Sequence, residues 1–476
     1  MVIAMAVTPF LIHLLGVSRW GVLSTALALV GMFGVFDFGI GRALTRLLAE
    51  LVGLGEDEQA ASLVKTGVMV LACVGLVVGA LAFGFIYVWA HHVIRVPEDI
   101  RHQVTVSLYV LCLAIPLVVV TGALWGVISA YQQFRVVNLI NMPIMAFYYI
   151  GPLIAVYFTN NLVWVMASLV ACRVVMVVSY AIISLRTMPS LVQAKLDFSK
   201  IIPLLRIGGW MTVSNITFPF LQYCDRLVLI SVLSAAAAGY YSTPADLVGR
   251  FFIVVGAVMA SAFPAIASCY RRDPENAVML FRRSILMVVL WLVGPCLIAT
   301  AYSHLILSLW IGASYAAHAA PVFEILCLGV MLGGADQVVA GFLDSIGRPA
   351  VNAKFSTLEI FIYIPLMALL LHIYGIAGGA MAWSARAGVD FALRLWLACR
   401  LFPALKTCVP DVLKVLACAT VGLAFPTLFH GDYMKLLAVA VAFAGIASFV
   451  WLTALSRREQ QYTTMKMQKM LALVVR

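Results

Sequence analysis

The sequence predicts an all-α integral membrane protein of about fourteen transmembrane helices, and three observations lead there. Hydrophobic residues make up 64% of the 476 and charged residues only 11%, with a mean hydropathy of +1.06, whereas soluble domains run near 25% charged. Apolar windows of about twenty residues, enough to cross a ~30 Å hydrocarbon core, recur along the whole chain. Lysines and arginines gather in alternate connections between those windows, as expected when positive residues stay in the cytoplasm during insertion.

Taken in order, the first window is 1–16. Its first basic residue is Arg19, so it lacks the charged start of a cleavable signal peptide and reads as a span. It is short for a crossing, which leaves open whether the first helix begins at Met1 or upstream of it. Spans follow at 20–44, 65–90 and 104–130. The uncharged run Val136 to Cys172 spans two crossings, 137–158 and 162–185, parted by the turn-forming Thr159-Asn160-Asn161. The longest cytoplasmic connection mixes Lys195, Lys200 and Arg206 with Leu196, Phe198 and Ile201. It reads either as an interfacial amphipathic helix on anionic headgroups or as a plain linker between halves. Beyond it come 207–232, 239–267, 284–310, 321–344, 356–374 and 377–401, with Gly312-Ala313-Ser314 breaking the run Ser284 to Phe323. Two last spans, 409–429 and 433–456, complete the count. The expected organisation is an N-lobe of helices 1–6 (1–185), an amphipathic linker (186–206), a C-lobe of helices 7–12 (207–402), helices 13–14 (403–456) and a cytoplasmic tail (457–476).

Charge position decides what the net +11 means. Twenty-two basic residues fall in the loops and tail of one side, against Arg19, Arg95, Arg101 and Lys435 on the other. Both termini are therefore expected in the cytoplasm, and the basic excess reports topology rather than a nucleic-acid partner. Ten cysteines and eight histidines show neither CxxC nor metal-ligand spacing, so no disulfide framework, metal or cofactor is expected. No nucleophile elbow, phosphate-binding glycine loop or pair of external carboxylates occurs in the polar segments, which argues against an enzyme.

Two stretches suggest an internal duplication of parallel sense. Gly126-Val-Ile-Ser-Ala-Tyr-Gln-Gln-Phe-Arg-Val-Val-Asn138 ends the fourth helix, and Gly341-Phe-Leu-Asp-Ser-Ile-Gly-Arg-Pro-Ala-Val-Asn352 ends the tenth. A weaker pair is Leu15 to Gly21 and Leu233 to Tyr240. The architecture expected is two six-helix lobes in parallel pseudo-repeat plus two C-terminal helices.

Pro9 to Gly16 with Trp20-Gly21, then Asp37-Phe-Gly-Ile-Gly41, Asp225-Arg226 and Tyr240-Tyr241-Ser-Thr-Pro244 resemble the Wzx-type polysaccharide flippases. These form one family of the multidrug/oligosaccharidyl-lipid/polysaccharide exporter superfamily. The likeness runs from about residue 5 to 455, and the polar leader usual in such proteins is missing. It implies a bacterial inner-membrane flippase that moves an undecaprenyl-diphosphate-linked oligosaccharide by alternating access for surface polysaccharide biosynthesis. Partners implied are the lipid-linked glycan, membrane lipids, and polysaccharide polymerase and chain-length proteins. The alternatives are a peptidoglycan-precursor flippase or a multidrug exporter of the same superfamily.

Ionisable residues at membrane depth cost several kcal/mol, so they face a partner or a wet cavity. Five arginines lie there: Arg173, Arg226, Arg250, Arg386 and Arg394. A guanidinium donates paired hydrogen bonds to phosphate oxygens and keeps its charge when desolvated, which suits a diphosphate. It also disfavours cationic drugs. Asp246 and Arg250 stand at i, i+4, as do Arg386, Asp390 and Arg394 in a stripe. Each set reads either as substrate contact or as a packing ion pair. Asp225 and Arg226 are adjacent and point to different faces. Asn215 and Trp210 are candidate sugar contacts, with Asn138, Gln222, Gln337, Tyr223 and Trp383 as weaker ones. Glu324, Asp336, Asp344 and Glu359 are candidates for proton coupling, since a desolvated carboxylate can change protonation.

Overall fold

Glycines and prolines punctuate an otherwise apolar chain into helices whose ends follow local chemistry. The computed structural model describes residues 2–37, 40–429 and 431–454; the expected tail, 457–476, lies outside them. By contact the chain divides into two units, Met1–Ser242 with Phe355–Ile376, and Thr243–Lys354 with Ala377–Arg476.

The first unit holds α1 (Val2–Leu15), α2 (Val17–Met32), α3 (Ile40–Leu54), α4 (Asp57–Val88), α5 (Glu98–Cys112), α6 (Ala114–Ala130), α7 (Phe134–Phe158), α8 (Leu162–Thr187) and α9 (Ile201–Val232). It also takes the start of α10 (Ala235–Gly249) and part of α15 (Pro349–Leu401). Buried Leu44, Leu48, Leu63, Val64, Leu71, Val119 and Val127 lock α3, α4 and α6 together. The second unit holds α11 (Phe252–Cys269), α12 (Pro274–Ala301), α13 (Ser303–Trp310), α14 (Ala313–Ser345), α16 (Val409–Ala424) and α17 (Asp432–Phe449). At its centre, α12 packs on α11, α14, α16 and α17. Phe342 stands edge-on to Phe281 (5.1 Å) and to Phe402 (5.6 Å).

The structure is all-α, as expected, with several boundaries displaced. Ten described helical stretches are long and apolar enough to cross a membrane, with shorter apolar helices at Ile3–Leu15 and Val17–Met32; the full count of fourteen is not reached by this measure. The span expected at 20–44 stops at Met32, passes through a 3₁₀ turn at Phe33–Asp37 and resumes as α3. Gly31 and Gly34 at that point lower helix propensity. The span expected at 284–310 is divided at Tyr302. The break expected between 374 and 377 falls at Gly375, whose φ of 60° lies in the left-handed region that glycine enters without a Cβ clash.

Of the 186–206 connection, residues 186–187 end α8 and 201–206 begin α9, and the part between them is not an amphipathic helix. It forms two single 3₁₀ turns, Pro189–Leu191 and Phe198–Lys200, strapped to α4. Lys65 Nζ donates to the Ala194 carbonyl (2.7 Å), Lys200 Nζ to that of Gln59 (2.8 Å), and the Asp197 amide to Thr66 Oγ1 (3.0 Å). The Asp197 carboxylate accepts the Ser199 hydroxyl (2.5 Å) and amide (3.0 Å), which hold it below the usual carboxylate range.

The two related stretches share a turn. Gln132 (φ 56°) and Gly347 (φ 77°) are both left-handed. In each, the next amide reaches back five residues, Gln133 to Ile128 (3.1 Å) and Arg348 to Leu343 (2.9 Å). This is the Schellman closure of a helix end.

Candidate functional site

In the first unit, α2 and α10 come unusually close because both present glycine. A Cβ on Gly21 would lie 1.7 Å from the Ala235 carbonyl oxygen, and one on Gly239 would lie 2.6 Å from that of Val17. Beside this crossing, Ser24 donates to Ser242 (2.9 Å), which donates on to the Ala238 carbonyl (2.6 Å). Asp225 and Arg226 on α9 are both buried. The Arg226 guanidinium bonds the Ser24 carbonyl (3.3 Å) and sits 6.0 Å from the Tyr223 ring centre, while Asp225 Oδ1 accepts the Arg226 amide (2.8 Å). Fully buried Tyr241 lies within electrostatic reach of Asp225, Arg226 and Tyr363, and Glu359 is buried one turn before Tyr363. This cluster unites motifs far apart in sequence, Trp20-Gly21, Asp225-Arg226 and Tyr240-Tyr241. Ser24 and Tyr363 were not anticipated, and Ser242 entered only within the Tyr240 to Pro244 motif. A signal for the two serines existed, as small polar residues three positions beyond Gly21 and Gly239 on the same helical faces.

A second cluster of the same unit is built around Arg173 on α8. Its Nη2 lies 3.4 Å from the Tyr148 hydroxyl of α7, and the guanidinium sits 5.1 Å from that ring's centre. Arg173 Nε is buried without a hydrogen-bond partner. Nearby, Tyr180 donates to Asn141 Oδ1 (2.8 Å) and packs on Trp125 at 6.4 Å. No acidic residue occurs anywhere between Asp99 and Asp197, so neither α7 nor α8 can neutralise this cation. Arg173 is half-buried, in a setting where charge is weakly screened.

In the second unit the expected stripe, Arg386, Asp390 and Arg394, lies along the last part of α15. Arg394 bonds Asp336 of α14, and both are buried. Asp390 is buried and Arg386 half-buried on the same helix. Asp344 accepts from Asn352 Nδ2 (2.8 Å), and Glu324 accepts the Ser303 hydroxyl (2.5 Å). Asp246 is exposed near the end of α10. Arg250 stands past the end of that helix, in the turn where its amide bonds Leu247 (3.1 Å), so the regular i, i+4 face expected for the two is interrupted. The side chains of Trp210 and Asn215 lie outside the described residues. Gln222 and Gln337 are exposed, and Trp383 is half-buried. Among the described residues, no three His, Cys, Asp or Glu gather as metal ligands.

Comparison with known proteins now bears on this geometry. Residues 1–269 match the model of a family described as polysaccharide biosynthesis protein. A Shigella flexneri protein named "Putative O-antigen transporter" is 25% identical over 404 residues, covering 84% of this chain and 94% of its own. An uncharacterised membrane protein of Methanocaldococcus jannaschii is 24% identical over 258 residues, 52% of this chain and 50% of its own. Among solved structures, an inward-facing multidrug resistance MATE family transporter of the MOP superfamily aligns with a TM-score of 0.71 at 10% identity, covering 85% of this chain and 95% of its own. The lipid II flippase MurJ in an inward closed conformation aligns at 0.62 and 13% identity, covering 91% and 97%. At such identities these two establish the fold alone.

Proposed function

This chain belongs to the polysaccharide biosynthesis protein family, and from that premise we propose that it flips a lipid-diphosphate-linked oligosaccharide across the bacterial inner membrane for surface polysaccharide assembly. The relative named as an O-antigen transporter supports the cargo class and a transport rather than an enzymatic role. The observation that carries the reading is Arg173, a cation at membrane depth with a tyrosine beside it and no carboxylate on its own helix or on α7. An uncompensated guanidinium there recruits an anion, and phosphate oxygens match its donor fork. A cationic drug would be repelled, which disfavours the multidrug reading. Arg226, Arg250, Arg386 and Arg394 remain candidate contacts during passage, with Asp225, Asp246, Asp390, Asn215 and Trp210. The carboxylates Glu324, Asp336, Asp344 and Glu359 are the candidates for coupling alternating access to protons. Polymerase and chain-length proteins are the natural downstream partners.

Deletion of the gene followed by analysis of lipid-linked intermediates tests this reading. Accumulation of a diphosphate-linked repeat unit on the cytoplasmic leaflet is the expected result. Accumulation of peptidoglycan precursor instead would favour the alternative cargo, and no accumulated lipid would reject both. Reporter fusions after Arg476 and within Val93–His102 should give cytoplasmic and external signals, respectively.

A further inference from the structure

At the opposite end of the first unit from the strapped linker, α4 finishes in a wider π turn, Trp89–Val93, closed by the Ile94 amide on the Trp89 carbonyl (2.9 Å). Such turns are rare and occur often at functional sites. With the first turns of α5 it borders an open pocket of about 510 Å³, within the size range of small-molecule sites. The walls are Tyr87, His91, Glu98, Arg101, His102 and Tyr109. Their placement is fixed by contacts of their own. Tyr109 packs on Phe83 (4.3 Å between ring centres) and Tyr87 stacks on His91 (4.4 Å, planes 29° apart). His91 Nδ1 is 2.9 Å from the Tyr87 carbonyl, so its other ring nitrogen is left for an outside partner. Glu98 holds Arg101 Nη1 at 2.7 Å, yet Arg101 Nε has no hydrogen-bond partner.

We propose that this pocket is a saccharide-binding site on the external face of the protein, one that receives the sugar next to the lipid diphosphate as it emerges. The inference rests on the flippase reading and on the loop-charge orientation. Three features select a sugar. Two tyrosine rings offer flat faces to pyranose C–H groups, while the acid, the guanidinium and two imidazoles supply donors and acceptors for hydroxyls. The location, where the apolar run of α4 ends, suits the level at which a lipid-linked glycan would carry its first sugar. Arg101, in the first turn of α5 and one of four basic residues that the charge pattern assigns to that side, can also touch the adjoining phosphate.

The test uses purified full-length protein in nanodiscs and, as probe, the repeat-unit oligosaccharide obtained by depolymerising the host's surface polysaccharide. Saturation-transfer NMR should report contact with pyranose C–H protons. Tyr87→Ala and Tyr109→Ala should each weaken binding about fivefold or more, while Tyr87→Phe and Tyr109→Phe stay close to wild type because the ring face is kept. Arg101→Gln should weaken it as well. No transfer in the wild type, or equal affinity in both alanine variants, would overturn the pocket. Binding lost in the variants while deletion accumulates no lipid-linked glycan would retire the flippase reading and keep the pocket. Accumulated glycan with unaffected variants would do the reverse.

Discussion

Arg394 of α15 is bonded to Asp336 of α14, two buried side chains 58 positions apart in sequence. The arginine at the end of the Arg386, Asp390, Arg394 stripe thus has a carboxylate on another helix. Breaking a buried pair by removing one partner costs about 3–5 kcal/mol, whereas removing both costs much less. Asp336→Asn should therefore lower the detergent melting temperature and membrane abundance, and adding Arg394→Gln should recover most of both. A single mutant as stable as wild type would show that water screens the pair.

Arg173 should behave in the opposite way. With no ion pair to break, Arg173→Ala should insert and melt normally, yet abolish glycan export. Arg173→Lys should restore export only in part, because an ammonium lacks the bidentate fork. Export measured beside abundance decides, and full rescue by lysine would reduce the role to a generic positive charge.

Gly21 and Gly239 test the α2–α10 crossing. A methyl at Gly21 would meet the Ala235 carbonyl at 1.7 Å, backbone that cannot swing aside. Gly21→Ala should destabilise by about 1–3 kcal/mol or more, and Gly239→Ala by less, read as the loss in melting temperature. Gly34→Ala, with open space around it, is the control.

The turn shared by the two related stretches makes a reciprocal prediction. A left-handed non-glycine residue costs roughly 1–2 kcal/mol, so Gln132→Gly should stabilise the protein and Gly347→Gln should destabilise it. Melting temperatures moving in the same direction would contradict the equivalence of the turns.

Lys65→Met should release the strap over α4. Trypsin cleavage after Lys195 should then quicken about threefold or more, a modest effect because exposed charged bonds fall well short of the ~1.5–3 kcal/mol seen when shielded.

How much of this was legible in the sequence depended on how far each cause reached along the chain. The break at Gly375 was readable, since a glycine between two apolar runs acts locally. The end of α2 at Met32 was missed because Gly31 and Gly34 sit inside an uninterrupted apolar window that hydropathy averages over. The linker has an amphipathic composition, but its conformation is set by Lys65, Thr66 and the Gln59 carbonyl of α4, which lie far off in sequence. Of the candidate site, the identity of the membrane-depth arginines was apparent from composition and position. Their partners were not. Tyr148 precedes Arg173 by 25 residues on another helix, and nothing in local spacing announces that pairing.

The segment Phe355–Ile376 belongs with residues made more than a hundred positions earlier, and this sets an order on biogenesis. Multi-part chains generally assemble from the N-terminus as they are synthesised. Here the first unit cannot be finished that way. Asp225 and Tyr241 are made well before Tyr363 and Glu359 exist, and the ribosome must complete the whole of the second unit's first stretch, Thr243–Lys354, in the interval. Until then Tyr241, fully buried in the finished unit, waits for Tyr363, a natural point for an insertase or membrane chaperone to hold the chain.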